Sequence, residues 1–190
     1  MHQNNNIGLQ NIFSVPIYTT FLNREIIEGV ENLIIPRLNN LELSKEQKTD
    51  YFKKDKIATS KELSSFFYHI DPIISKYSNS SNLKRSSNYY YWIQDYSKNE
   101  FHHLHAHGDS YISGVYYIRA NKNAGALKFT NPNPLFSITS FNDNPKEEIY
   151  YKVKPQKGLL VLFPGWLSHE AIPSLEKDCI RTCLAFNIFK

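Results

Sequence analysis

At 190 residues, with 41% hydrophobic and 21% charged side chains, the chain is expected to form one domain with a real core. Its net charge of +4 is small and spread out, and the densest basic patch, Lys53-Lys54-Asp55-Lys56, is broken by an acid, which argues against a nucleic-acid footprint. No apolar run approaches the roughly 20 residues that span a bilayer and no signal peptide is evident, so a cytoplasmic protein with no membrane contact is expected.

Residues 1–10 are polar and Asn-rich and read as a lead-in. Ile12–Tyr18 reads as a short strand, with Pro16 marking an edge position. Asn23 can cap a helix whose apolar positions, Ile26, Ile27, Val30, Leu33 and Ile34, follow the helical period. Pro36 is expected to kink or end it. Asn39 to Lys56 is polar and reads as loop. Thr59-Ser-Lys-Glu62 has the form of a capping box opening a second helix, with Leu63, Phe66, Phe67, Ile70, Ile73, Ile74 and Tyr77 as its stripe and a bend at Pro72. Ser78 to Ser87 reads as a linker. Both helices look like buttresses for a sheet.

From Asn88 on, the pattern is β, and 13 Tyr and 12 Phe suit it. Tyr89–Tyr96, Tyr111–Arg119, Ala126–Phe129, Ile149–Val153, Leu159–Phe163 and Ile180–Phe189 read as strands. Asn121–Gly125 reads as a turn and Thr130–Glu148 as a long loop. A turn-rich link carries Trp166 and His169. Two helices followed by about seven or eight short strands predict a mainly β (α+β) fold: a jelly roll or small sandwich, with residues 1–86 as strand and helices and 87–190 as the β core. Cys179 and Cys183 lie on what reads as one strand, facing the same way and too far apart for a disulfide, so both are expected reduced.

Four of the seven histidines fall in one short run, at His102, His103, His105 and His107, with Asp109 two residues on. In extended chain His105, His107 and Asp109 project to one side, and imidazole with carboxylate on one face suits a divalent transition metal. A solvated His-rich turn is the competing account of the run. On the last strand Arg181, Cys183, Ala185 and Asn187 form one face and Thr182, Leu184, Phe186 and Ile188 the other. The first face leaves room for a ligand, and Arg181 is placed to receive a carboxylate bidentately. His169, after an apolar strand and a Phe-Pro-Gly turn, could close a metal site begun at His105.

Four ordered motifs carry a resemblance that spans nearly the whole chain. They are Phe13-Ser-Val-Pro16-Ile-Tyr18, His105-Ala-His107 with Ser113-Gly-Val-Tyr-Tyr117, Phe163-Pro-Gly-Trp-Leu-Ser-His169, and Arg181 with Phe186-Asn187. In these the sequence resembles the Fe(II)- and 2-oxoglutarate-dependent oxygenases, and most of all a short bacterial and phage subgroup of them. The resemblance implies a double-stranded β-helix, cupin-like in outline, buttressed by the two N-terminal helices. It implies His105, His107 and His169 as metal ligands, Arg181 on the distal carboxylate of 2-oxoglutarate, and Tyr117 on the same carboxylate or as a structural residue of its strand. The superfamily's usual acid two residues after the first His is here His107; Asp109 is the alternative ligand, through His107-Gly-Asp109. His102 and His103 read as flanking or surface groups.

The implied reaction is oxidative decarboxylation of 2-oxoglutarate coupled to hydroxylation of a small-molecule or peptide substrate, with Fe(II) as cofactor. Trp92, Gln94 and the loop 130–148 are candidates for substrate contact. A homodimer stays open. Two other readings compete: a metal-binding cupin-like protein that does not use 2-oxoglutarate, and a non-enzymatic jelly-roll binding module. Whether Arg181 points into the same cavity as the histidines separates the first from the oxygenase. Whether the histidines converge separates the second.

Overall fold

The strand that organises the fold is β10 (Arg181–Phe189), in a computed structural model that describes residues 14–40, 48–133 and 149–189. It pairs antiparallel with β3 (Tyr89–Tyr96) on one side and β5 (Ser110–Ala120) on the other. On the β5 side the sheet continues through β8 (Leu159–Pro164) to β1 (Tyr18–Phe21); on the β3 side it ends at the two-residue β2 (Lys48–Thr49). A second, four-stranded sheet has the order β4 (His102–His105), β9 (His169–Ala171), β6 (Leu127–Thr130), β7 (Tyr150–Val153). All the pairings are antiparallel. The described residues form a mainly β jelly roll with two helices.

Every residue of β10 from Arg181 to Ile188 is buried, which requires both faces of the sheet to be covered. Leu184, Phe186 and Ile188 join the core formed with α1 (Arg24–Asn40) and α2 (Ser64–Ser81), where Ile34, Ile70 and Ile74 have no exposed surface. Burial of one such side chain stabilises by about 1.5–3 kcal/mol. The opposite face turns toward the small sheet. Tyr117, Val161, Phe163 and Cys183 meet Leu127, Phe129 and Val153 there in a second core. Gly114 separates the two environments: a Cβ on it would come within 2.2 Å of the Phe186 ring.

Several boundaries differ from the sequence reading. Of the expected strand Ile12–Tyr18, residues 12 and 13 lie outside the described residues and residues 14–17 are not strand; β1 begins at Tyr18 and runs to Phe21 along β8. Proline has no N–H for the ladder, so pairing begins beyond it. Pro36 does not end α1. Proline removes one helical hydrogen bond, and burial of Ile34 and Leu38 on either side holds the helix through to Asn40. The expected cap is present, with Asn23 Oδ1 accepting from the Ile26 amide at 3.0 Å. The Thr59–Glu62 box also forms, with the Thr59 amide donating to Glu62 at 2.8 Å and the Glu62 amide donating to Thr59 Oγ at 3.3 Å. It closes a turn that leads into α2 rather than the helix's own first turn. Pro72 lies inside α2, which runs four residues into the expected linker before Asn82, at φ 53°, ends it.

The polar segment 39–56 contains β2, too short to show a period. Cys183 is on β10 and buried, whereas Cys179 lies in the turn before it, so the two do not share a strand; both thiols are free. Most of the expected loop 130–148 lies outside the described residues. Among the described residues, no helix is long and apolar enough to cross a membrane.

Packing of the helices on the sheet should therefore outweigh local capping. Ile74→Ala should cost about 2–5 kcal/mol, and Thr59→Ala about 1 kcal/mol. Urea unfolding of the two variants measures this; equal losses would contradict the account.

Candidate metal centre

The short ladder between β4 and β9 places His105 opposite His169. Each imidazole is oriented by its own backbone. His105 Nδ1 lies 2.7 Å from the His103 carbonyl oxygen, and His169 Nδ1 lies 2.8 Å from that of Leu167. A carbonyl only accepts, so both Nδ1 atoms carry the proton and both Nε2 lone pairs stay available. This is the orientation that metal-ligating histidines use, with the outer nitrogen tied to a carbonyl.

His107 follows the end of β4 and is set by a different contact. Its amide donates to the Gly165 carbonyl at 2.7 Å, and its carbonyl accepts from the Ser110 amide at 3.0 Å. The Phe163-Pro-Gly165 turn thereby holds the His107 backbone beside the end of β8. Ring centroids of the three histidines lie 4.3 to 5.2 Å apart, and one nitrogen from each falls within 4.8 Å of the others. Phe163 packs edge-on against His169 at 4.6 Å, and Trp92 stands 6.2 Å from His107. Burial, and next to it the neighbouring His105, lowers the pKa of His169 to about 3 and of His107 to about 4. Both rings are neutral at neutral pH, the form that binds a metal ion.

Asp109 is not part of this group. The ladder stops at His105, and residues 108 and 109 turn before β5 begins at Ser110, so the two-residue alternation does not carry past His107. Asp109 is exposed. His102 lines the cavity with its ring 4.4 Å from that of His105, while His103 is exposed and packs on Phe101.

Arg181 lines the same cavity as the three histidines. It is 2% exposed and firmly held. Nη1 donates to the carbonyls of Gly125 at 2.7 Å and Ile172 at 2.9 Å, Nη2 donates to that of Glu100 at 3.3 Å, and the guanidinium lies 3.8 Å over the Tyr96 ring. Gly125 permits this approach, since a Cβ there would meet the Ile172 oxygen at 2.0 Å. Nε has no partner. A buried donor with no acceptor is costly, and a carboxylate would satisfy it. Tyr117, Ser113 and Val115 face the cavity from β5, with Tyr117 2% exposed and its hydroxyl pKa pushed up, chiefly by burial. The residues present thus fit both a metal ion and an anionic ligand beside it. Tyr96, the platform under Arg181, escaped the sequence reading. Alternation along β3 was the available signal, because it puts Trp92, Gln94 and Tyr96 on one face.

Comparison with known proteins agrees with this arrangement. The profile of the family described as "Putative 2OG-Fe(II) oxygenase" matches residues 90–187, from β3 to near the end of β10. No curated protein is a significant sequence match. Among solved structures, a Pseudomonas putida prolyl-4-hydroxylase is similar with a TM-score of 0.65 at 14% identity, covering 93% of this chain and 94% of that one. HygX from Streptomyces hygroscopicus, solved with nickel and 2-oxoglutarate bound, gives 0.61 at 8% identity, covering 92% and 83%. A prolyl hydroxylase from Trichoplax adhaerens, in complex with a hypoxia inducible factor peptide fragment, gives 0.58 at 16%, covering 91% and 83%. These likenesses establish the fold. The profile match takes in just over half of the chain, including all three histidines and Arg181, and the chain belongs to the 2OG-Fe(II) oxygenase family, whose metal is Fe(II) and whose co-substrate is 2-oxoglutarate.

Proposed function

We propose that this oxygenase is a dioxygenase that hydroxylates a small-molecule or peptide substrate, with His105, His107 and His169 holding Fe(II) and Arg181 and Tyr117 receiving the distal carboxylate of 2-oxoglutarate. The observation that carries the reading is the unpartnered Nε of Arg181 in the cavity that the three histidines line. A metal-only cupin has no use for a buried guanidinium that lacks an acceptor, and a binding module has no use for three converging imidazoles.

Fe(II) with 2-oxoglutarate and O₂ would supply the oxidising chemistry, one oxygen atom leaving in succinate with release of CO₂ and the other entering the substrate as a hydroxyl group. The chain's own residues do the rest. Three protein ligands leave coordination positions open for the co-substrate and O₂. All three ligands are imidazoles, so with metal bound the site would carry one more positive charge than a site with a carboxylate in the second place. A doubly negative co-substrate offsets that charge. Cys183 and Ala185 on β10 are small and leave space between Arg181 and the histidines, while Phe163 and Trp92 shield the imidazoles from water. Two free thiols suit a reducing, cytoplasmic setting.

Anaerobic addition of Fe(II) and then 2-oxoglutarate should produce a visible metal-to-ligand charge-transfer band. His169→Ala should abolish Fe(II) binding. Arg181→Ala should leave Fe(II) binding intact and weaken 2-oxoglutarate binding roughly a hundredfold, the scale of a charge-assisted pair. Asp109→Asn should change Fe(II) affinity by no more than about twofold, as for an ordinary surface substitution; a large loss would move the second ligand from His107 to Asp109. Metal binding without any band would leave the cupin reading standing.

Gly165 offers a separate check on His107. A Cβ there would lie 2.4 Å from the Ser110 oxygen and 2.9 Å from the His107 oxygen, both backbone atoms that cannot swing away. Gly165→Ala should therefore weaken Fe(II) binding while circular dichroism remains that of the folded protein. Unchanged Fe(II) affinity would show that the position of the His107 backbone does not govern the site.

A further inference from the structure

Among the described residues, five buried side-chain polar atoms have no hydrogen-bond partner. Three are hydroxyl oxygens, of Ser110, Tyr116 and Thr130, on residues that do not line the cavity. The other two do line it, and both are donors: Nε of Arg181 and the amide nitrogen Nε2 of Gln94. Gln94 is 3% exposed. An amide nitrogen cannot turn acceptor, so whatever satisfies it must bring an acceptor, such as a carboxylate oxygen.

The sheet register says where that oxygen lies. Arg181 stands opposite Tyr96, and the next inward row along β10 is Gln94, Cys183 and Tyr117. The row after that holds Trp92, whose ring neighbours His107. Gln94 is thus one inward row from Arg181, roughly 7 Å along the strand, and on the side toward the histidines. Cys183 between Gln94 and Tyr117 is small, so the row has a gap at its centre. A short dicarboxylate reaching from Arg181 toward the histidines would pass through this gap. Two donor-only groups along its length match a ligand that is acceptor-only at both ends.

We infer that Gln94 is a second anchor for 2-oxoglutarate, its side-chain amide donating to a carboxylate oxygen of the co-substrate whose distal end Arg181 holds. This rests on the reading of the site given above. It assigns Gln94 to the co-substrate and not to the oxidised substrate. It also accounts for a buried amide that the fold leaves unsatisfied: the stability lost in the free protein returns as affinity.

The test is the anaerobic charge-transfer titration with Fe(II) held saturating and 2-oxoglutarate varied, for the native protein, Gln94→Leu and Gln94→Glu. Leucine keeps the volume and removes the orphaned donor. Glutamate keeps the shape and replaces the donor with an acceptor. Both should raise the half-saturating 2-oxoglutarate concentration about ten- to hundredfold, as loss of a hydrogen bond to a charged group does, with Fe(II) affinity unchanged. Gln94→Leu should also raise the urea midpoint of the metal-free protein, because its buried amide is gone. A native protein that gives no band overturns the reading of the site, and this inference with it. A native band with the same half-saturation in both variants overturns this inference alone.

Discussion

The two faces of one strand meet two different environments, and the rest of the molecule follows from that. In β10, Leu184, Phe186 and Ile188 face helices and must be apolar; Arg181, Cys183, Ala185 and Asn187 face a cavity and need not be. The two helices serve the first face. Without them a buried sheet carrying Arg181 on its other side would have only one hydrophobic contact surface, too little to hold so many polar groups away from water. Asn187 and Ser113 show the other half of the bargain, bonded to each other at 2.8 Å on the cavity wall.

The candidate metal centre depends on a smaller element. Four residues of β4 and three of β9 bring His105 and His169 into register, and backbone carbonyls fix both rings. No carboxylate is needed to orient them. Mutual proximity of three imidazoles would be unfavourable if they were charged. Burial removes the charge from His107 and His169, and the repulsion with it.

Much of this was legible in the sequence. The β pattern from Tyr89 to Tyr96 gave β3 its observed ends, and the small-residue face of the last strand, read as leaving room for a ligand, lines the cavity. The helical stripes and the Asn23 cap were readable because they are local. What was hidden depends on distant parts of the chain. His169 itself was readable, but the strand it opens reads in sequence as a turn-rich link. β9 has three residues, too few to show a period, and pairs with distant residues, His169 itself with His105 and Phe129. The carbonyls that hold Arg181 come from residues 100, 125 and 172. Asp109 was drawn into the candidate ligand set by extending strand alternation past the point where the chain turns.

The clamp on Arg181 has a thermodynamic consequence. A free arginine side chain has many rotamers, and a ligand that captures it must order them. Here three carbonyls and the Tyr96 ring select one arrangement during folding, and the conformational entropy is lost before any ligand arrives. A flexible lysine would bring the same charge without that preorganisation and without a planar edge. The cavity is therefore rigid at its Arg181 end, where an incoming acid would have to match a fixed, planar donor edge in length and orientation as well as in charge.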